Sequence, residues 1–269
     1  MRPPRIPRPV VNVLAAISYA VSLLIIVVLG FPLMLLLVAV TLPFDETRRV
    51  PGRFLRLVGS TPTYVFPFWH VRIQGRQPER GAYVCTSNHQ SFLDIFAMSR
   101  QRREMKWIAK EEIFKLPFFG LYFKLSGDIP VNRGDRESGG AALSKARWYL
   151  DRGMPVMIFP EGTRSRDGKL GAFKPGAFRL AIEAQVPVLP VAVSGSAYGM
   201  PKGSPWIRPT LVLVRVLAPI ETKLEGEGAG GLVHVRLQAR VTEVGTLELA
   251  ASDTMTGQRW KLSFDVRVR

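Results

Sequence analysis

The sequence predicts an α/β protein: a layered sheet flanked by helices, with an N-terminal membrane-embedded helical segment and a C-terminal β-hairpin-like tail. Three observations carry that expectation. From residue 82 to residue 217, short apolar runs alternate with helical stretches, the pattern of a layered α/β domain. Residues 10–44 contain no charged side chain at all. After residue 225 the pattern changes to a period of two, the signature of half-buried strands. The expected divisions are 1–50 (basic arm and membrane segment), 51–224 (the α/β domain) and 225–269 (glycine-rich linker and β-rich tail).

The chain opens with Arg2, Arg5 and Arg8 set between prolines, a short basic arm. The uncharged stretch that follows exceeds the roughly 20 apolar residues needed to cross a bilayer and the ~7–15 of a secretory signal. Gly30-Phe31-Pro32 interrupts it, so either one helix runs on into the interface or the chain kinks at Pro32 and returns. Arginines flank both ends (Arg48, Arg49, Arg53 and Arg56 after it), which favours the returning hairpin. Residues 51–75 mix arginines with Phe54, Tyr64, Phe66, Phe68 and Trp69, fitting either a membrane interface or a linker ending in an edge strand at Val71-Arg72-Ile73.

Strands are then expected at 84–86, 105–109, 155–159, 188–193 and 210–217, and helices at 95–103, 138–152 and 177–185. Gly153 ends the second helix, and Pro175-Gly176 opens the third. In the tail, strands are expected at 233–241, 246–250 and 259–268, with a turn at Thr256-Gly257.

Composition bounds the chemistry. The net charge is +16 and 47% of residues are hydrophobic, which points to an anionic membrane face or to nucleic acid as partner. One cysteine, Cys85, excludes an internal disulfide and a cysteine-only metal site. His70, His89 and His234 are too scattered for a histidine-rich metal centre.

The pair most suited to chemistry is His89 and Asp94, between the apolar run at 83–86 and the helix beginning near Ile95. A histidine has an ordinary pKa near 6.5, suited to proton transfer near neutrality, and a carboxylate can orient one ring nitrogen so that the other acts as base. Side chains five apart on a continuous helix diverge by about 140°, so these two meet only if His89 lies in the turn before the helix. Ser91 favours that placement, because Ser91-x-x-Asp94 resembles a capping box. The same pattern has a plain reading, in which Asp94 satisfies backbone N–H groups and His89 is a turn residue.

Phe159-Pro160-Glu161-Gly162-Thr163-Arg164-Ser165 follows the strongest buried strand, where α/β sheets bind ligands. Gly162 permits close backbone approach, Thr163 offers a hydroxyl and Arg164 a guanidinium suited to phosphate; a surface turn is the plain alternative. Arg133 adds a second arginine after the apolar run at 129–131. Phe114, Phe118, Phe119, Tyr122 and Phe123 could line an acyl-chain groove, although an aromatic-rich stretch is more often plain core.

Together these pieces resemble the phospholipid/glycerol acyltransferase family, most closely its bacterial 1-acyl-sn-glycerol-3-phosphate acyltransferases. Asn88-His89-Gln90-Ser91-Phe92-Leu93-Asp94 matches the family's first motif. Lys110 through Pro117-Phe118-Phe119-Gly120 to Gly127 and Arg133 resembles the second, residues 159–165 the third, and Val186-Pro187-Val188-Leu189-Pro190 the fourth. Asn132 stands where the family commonly has aspartate. The resemblance implies that His89, oriented by Asp94, deprotonates the free hydroxyl of a lysophospholipid, which attacks the thioester of acyl-CoA or acyl-carrier protein. It implies that Arg133, Glu161, Gly162, Thr163 and Arg164 hold the acceptor's glycerol phosphate, with Lys110 and Lys174 as weaker candidates. No metal and no cofactor beyond the acyl donor is expected, membrane lipids are the expected partners, and the expected location is the cytoplasmic side of a cell inner membrane. Other lysophospholipids or a lyso-aminolipid are alternative acceptors. Two non-enzymatic readings also stand: a membrane scaffold that kept the fold, and a nucleic-acid-binding protein motivated only by charge.

Overall fold

The computed structural model describes residues 7–165, 168–204 and 207–220, and the backbone of three strands at 235–241, 246–253 and 259–265. Arg2 and Arg5, the linker at 225–231 and the turn at Thr256-Gly257 lie outside the described residues.

The uncharged stretch forms one helix, Arg8–Thr41, long and apolar enough to cross a membrane, with a mean hydropathy of 3.2 in its most apolar window. It comprises α1 (Arg8–Leu24), a π-helical turn (Ile25–Gly30) and α2 (Phe31–Thr41). The chain does not turn back at Pro32. That residue falls in the first turn of α2, where a missing N–H costs least, and the π-helical turn before it resets the hydrogen-bond ladder.

One stripe of this helix is buried along its length: Val11, Ala15, Ser18, Ser22, Gly30, Met34 and Thr41, spaced by threes and fours or their sums. Val11 and Ala15 join the cluster containing Phe66 and Trp69, whereas Met34 packs with Leu55, Val58 and Tyr122. The Tyr122 hydroxyl donates to the Ile26 carbonyl inside the π-helical turn at 2.6 Å. The helix therefore lies along the domain rather than projecting from it. Its other faces, with Ile17, Leu24, Leu29, Leu36 and Val40, are exposed and apolar.

The segment after it is helical at α3 (Arg49–Ser60) and α4 (Pro62–Val65), then becomes the edge strand β1 (Trp69–Gln74). The remaining strands of the main sheet are β2 (Val84–Ser87), β3 (Lys106–Lys110), β4 (Ile129–Val131), β5 (Val156–Ile158), β6 (Val188–Ser194) and β7 (Thr210–Val216). Their order is β1-β7-β6-β2-β5-β3-β4, and every pair is parallel except β6 with β7. Only β4 has no counterpart in the sequence expectation. It holds Pro130, which a sheet tolerates at its edge, where β4 lies.

Helices α5 (Leu93–Met98), α6 (Phe119–Ser126), α7 (Arg136–Leu150), α8 (Gly176–Ala184) and α9 (Ser196–Gly199) complete the domain, with a 3-10 helix at Glu111–Lys115. The expected helix at 95–103 is thus shorter and starts earlier. Successive residues along the strands point to opposite faces. Cys85, Met157, Leu189 and Val214 pack with Leu93 and Ala97 of α5. Val84, Val156 and Val188 pack on the other face with Ala146 of α7 and Leu180 of α8. The tail forms a separate antiparallel sheet of β8 (Val235–Val241), β9 (Thr246–Asp253) and β10 (Arg259–Asp265), in the order β10-β9-β8.

Candidate active site

Strand β2 is central in the sheet, and the residues that follow it turn into α5. His89 lies in that turn, as the spacing requires, and its Nδ1 is 2.9 Å from Asp94 Oδ2. The same carboxylate oxygen accepts the backbone N–H groups of Gln90 at 2.7 Å and Ser91 at 2.8 Å. The Ser91 hydroxyl accepts the Leu93 N–H at 3.1 Å and donates to the Met200 carbonyl at 2.6 Å. The capping and orienting readings of Asp94 are therefore both realised, and by one oxygen atom. Its other oxygen, Oδ1, is buried without a hydrogen-bond partner among the described residues.

His89 and Asp94 are both buried. With Nδ1 engaged, Nε2 is the ring nitrogen left to exchange a proton, and no described residue bonds to it. The imidazole stacks on the Phe159 ring, with centroids 4.0 Å apart and an interplanar angle of 18°.

The loop after β5 holds the turn by its backbone. Glu161 Oε1 accepts the His89 N–H at 2.7 Å, and the Ser165 N–H donates to the His89 carbonyl at 2.8 Å. Glu161 Oε2 accepts the Gly171 N–H at 2.8 Å. Both carboxylate oxygens of Glu161 are thus occupied by backbone donors.

The other expected binding residues separate into groups. Arg133, Gly162 and Lys174 line one cavity of about 250 Å³, together with Phe159 and Gly176 at the start of α8. Gly162 has a φ of +69°, and a Cβ there would come within 3.0 Å of Lys174 Cε, so the lysine side chain lies against bare backbone. Partial loss of water lowers the pKa of Arg133, an effect opposed by the Glu112 carboxylate. Lys110 ends β3 and pairs with Glu112 at 2.8 Å. Arg164 lies elsewhere, with its guanidinium 4.4 Å from the Phe92 ring centroid, and Thr163 is exposed. Of the aromatics considered for an acyl groove, Phe114 and Tyr122 are buried, and Phe118 meets Phe31 of the apolar helix edge-on at 5.7 Å.

Two contributors had no assigned role in the sequence. Asn88 is tied to Val193 of β6 by two 2.8 Å bonds, its Nδ2 donating to the carbonyl and its Oδ1 accepting the N–H. Phe159 backs the imidazole. Both stand inside the quoted motifs, which was the only signal available for them.

A family model described as Acyltransferase matches residues 69–194. A 1-acyl-sn-glycerol-3-phosphate acyltransferase of Chlamydomonas reinhardtii is 37% identical over 70% of this chain and 59% of its own length. A chloroplastic 1-acyl-sn-glycerol-3-phosphate acyltransferase of Arabidopsis thaliana is 36% identical over 71% of this chain and 52% of its own. The chain therefore spans little more than half the length of these relatives. The alpha form from Mus musculus is 34% identical, over 72% of this chain and 70% of that protein. Among solved structures, the 1-acyl-sn-glycerophosphate acyltransferase PlsC from Thermotoga maritima superposes with a TM-score of 0.68 at 27% identity, covering 82% of this chain and 90% of that one.

Proposed function

This chain belongs to the phospholipid/glycerol acyltransferase family, and we propose that it transfers an acyl chain from acyl-CoA or acyl-carrier protein to the free hydroxyl of 1-acyl-glycerol-3-phosphate, giving phosphatidic acid. The observation that carries the reading is the buried His89–Asp94 pair, which holds Nδ1 and leaves Nε2 unbonded by any described residue. Nε2 takes the hydroxyl proton as the alkoxide attacks the thioester carbonyl. The C–S bond then breaks, and the proton passes from His89 to the leaving thiolate. A positioned base of this kind contributes on the order of 10²–10⁴ in rate. The remainder comes from holding two substrates together and stabilising the oxyanion.

The cavity lined by Arg133 and Lys174 is the place for the acceptor's phosphate, since both are cationic donors and Lys174 lies against the backbone of Gly162. Thr163, Arg164 and Lys110 are further acceptor contacts in this reading, although they do not line that cavity. Glu161 positions the turn and does not hold the phosphate. A phosphate cavity favours lysophosphatidic acid over a lyso-aminolipid. Mass spectrometry of products from a panel of lysolipid acceptors with one labelled acyl-CoA tests this. Phosphatidic acid formation that disappears in His89→Ala is expected, and an active His89→Ala protein would overturn the mechanism.

The apolar helix, long and apolar enough to cross a membrane, supports a membrane location. It is docked at both ends on the domain, with its exposed apolar faces free for acyl chains. We read it as lying within one leaflet, on the cytoplasmic side of the inner membrane. Protease treatment of intact spheroplasts tests that placement: an N-terminal tag protected from the outside is expected, and cleavage would establish a spanning helix.

A further inference from the structure

The imidazole is tethered through Cβ, and one hydrogen bond at Nδ1 restrains its two side-chain torsions without supporting the face of the ring. Asp94 aims His89, and Phe159, stacked nearly parallel with centroids 4.0 Å apart, limits the tilt that remains. Phe159 itself is only partly buried and lines the substrate cavity on one side, so it needs a backing of its own.

That backing is Trp107. The indole meets Phe159 edge-on, with centroids 6.2 Å apart at 83°, and is itself buried. Two charged side chains hold it. The Arg56 guanidinium lies 4.5 Å from the indole centroid, and the backbone N–H of Trp107 donates to Asp128 Oδ1 at 2.9 Å. Arg56 and Asp128 also bond each other through the Arg56 Nη2 and both carboxylate oxygens, with both side chains buried. The ion pair thus grips Trp107 by its ring face and by its backbone. Arg56 comes from α3, whose Leu55 and Val58 pack on Met34 of the apolar helix.

From this geometry we propose that Trp107 and Arg56 are positioning residues for His89, acting through the plane of Phe159. The proposal rests on His89 being the base. It places the control of that base in a buried stack that begins on the helix next to the membrane segment. Neither Trp107 nor Arg56 lines the cavity, so their replacement should slow the chemical step and leave substrate binding alone. Displacing a catalytic group by about 1 Å can cost on the order of 100-fold, so a partial tilt has a measurable price.

The test is a double-mutant cycle on the full-length protein in detergent, with kcat, KM and Tm measured for Trp107→Phe, Phe159→Leu and the double variant. Trp107→Phe should lower kcat on the order of tenfold, with KM within about twofold. In the Phe159→Leu background, Trp107→Phe should have no additional effect, because the ring that transmits it is gone. Additive losses, an unchanged kcat, or a loss confined to KM would overturn the proposal. Arg56→Lys keeps the charge opposite Asp128 but removes the guanidinium plane. It reads the same coupling if Trp107→Phe does not fold, with suppression by Phe159→Leu supporting the proposal and additivity overturning it. His89→Ala measured alongside separates the two levels: residual turnover there removes the base assignment, whereas an inactive His89→Ala with an unaffected Trp107→Phe removes only the positioning role.

Discussion

Glu161 holds His89 by the backbone, its Oε1 accepting the His89 N–H at 2.7 Å while its Oε2 takes the Gly171 N–H at 2.8 Å. A carboxylate in the loop after β5 thus joins the turn after β2 to the chain leading into α8. Hydrogen bonds to a buried charged acceptor are worth about 1.5–3 kcal/mol each, and removing the acceptor leaves bare donors behind. Glu161→Ala should therefore lower Tm and kcat together with little change in acceptor KM. Steady-state kinetics beside a thermal melt checks this. A large rise in KM at unchanged Tm would instead put Glu161 on the substrate.

Asp94 and Ser91 divide the work at the start of α5 unequally. Asp94 Oδ2 serves three donors, one of them the His89 ring, whereas Ser91 Oγ serves only the backbone of Leu93 and Met200. Asp94→Ala should cost on the order of 10²–10⁴ in kcat. Ser91→Ala should cost about 1 kcal/mol of stability, as loss of a cap does, and lower kcat only modestly. Equal small effects from the two would reduce Asp94 to a cap.

Gly162 is required twice over. Its φ of +69° is unfavourable for any residue with a Cβ, and that Cβ would press on Lys174. Gly162→Ala should destabilise the fold by about 1–2 kcal/mol from backbone conformation. Because Lys174 lines the same cavity, acceptor KM should rise at the same time. Kinetics with varied lysophosphatidic acid at saturating donor measures the effect.

Tyr149 predicts an alkaline limit to stability. Its hydroxyl donates to the Gly127 carbonyl at 2.8 Å, and burial pushes its pKa up to about 12 from the ordinary 10.0, with Asp128 adding to the shift. The folded state thus keeps a proton that the unfolded chain releases first. This contribution to stability is complete below about pH 10 and is lost as pH rises through about 12. Denaturant midpoints followed through that window should fall more steeply for the native protein than for Tyr149→Phe.

Much of the fold could be read from local pattern. The buried strands at 84–87, 156–158, 188–194 and 210–216 are short apolar runs bounded by turns, and each lies within two residues of its expected limits. β4 was hidden by Pro130, and α3 by a mixture of arginine and aromatic residues that has no clean strand or interface pattern. Helix α3 is amphipathic against a partner, the apolar helix, and that partner's docking cannot be seen in α3's own sequence. The same docking decided between the two readings of 10–44: a stripe of small and apolar residues takes the domain's surface from Val11 to Thr41, and the chain passes Pro32 without reversing.

Local sequence was enough to single out the His89–Asp94 pair and the family, because His89, Ser91 and Asp94 are local to one turn and the motif at 159–165 is contiguous. Hydrogen bonding over five residues follows from the strand-to-helix turn alone. Which distant side chains meet that pair became visible only in the folded chain. Glu161 is 72 residues from His89, as Arg56 is from Asp128, and nothing in local spacing tells a substrate ligand from a brace. Arg133 and Lys174 share a cavity while Arg164 stands apart, although Arg164 is nearer Lys174 in sequence. Parallel strand order brings distant loops to one end of the sheet, and side-chain direction at each loop sets which residues meet there.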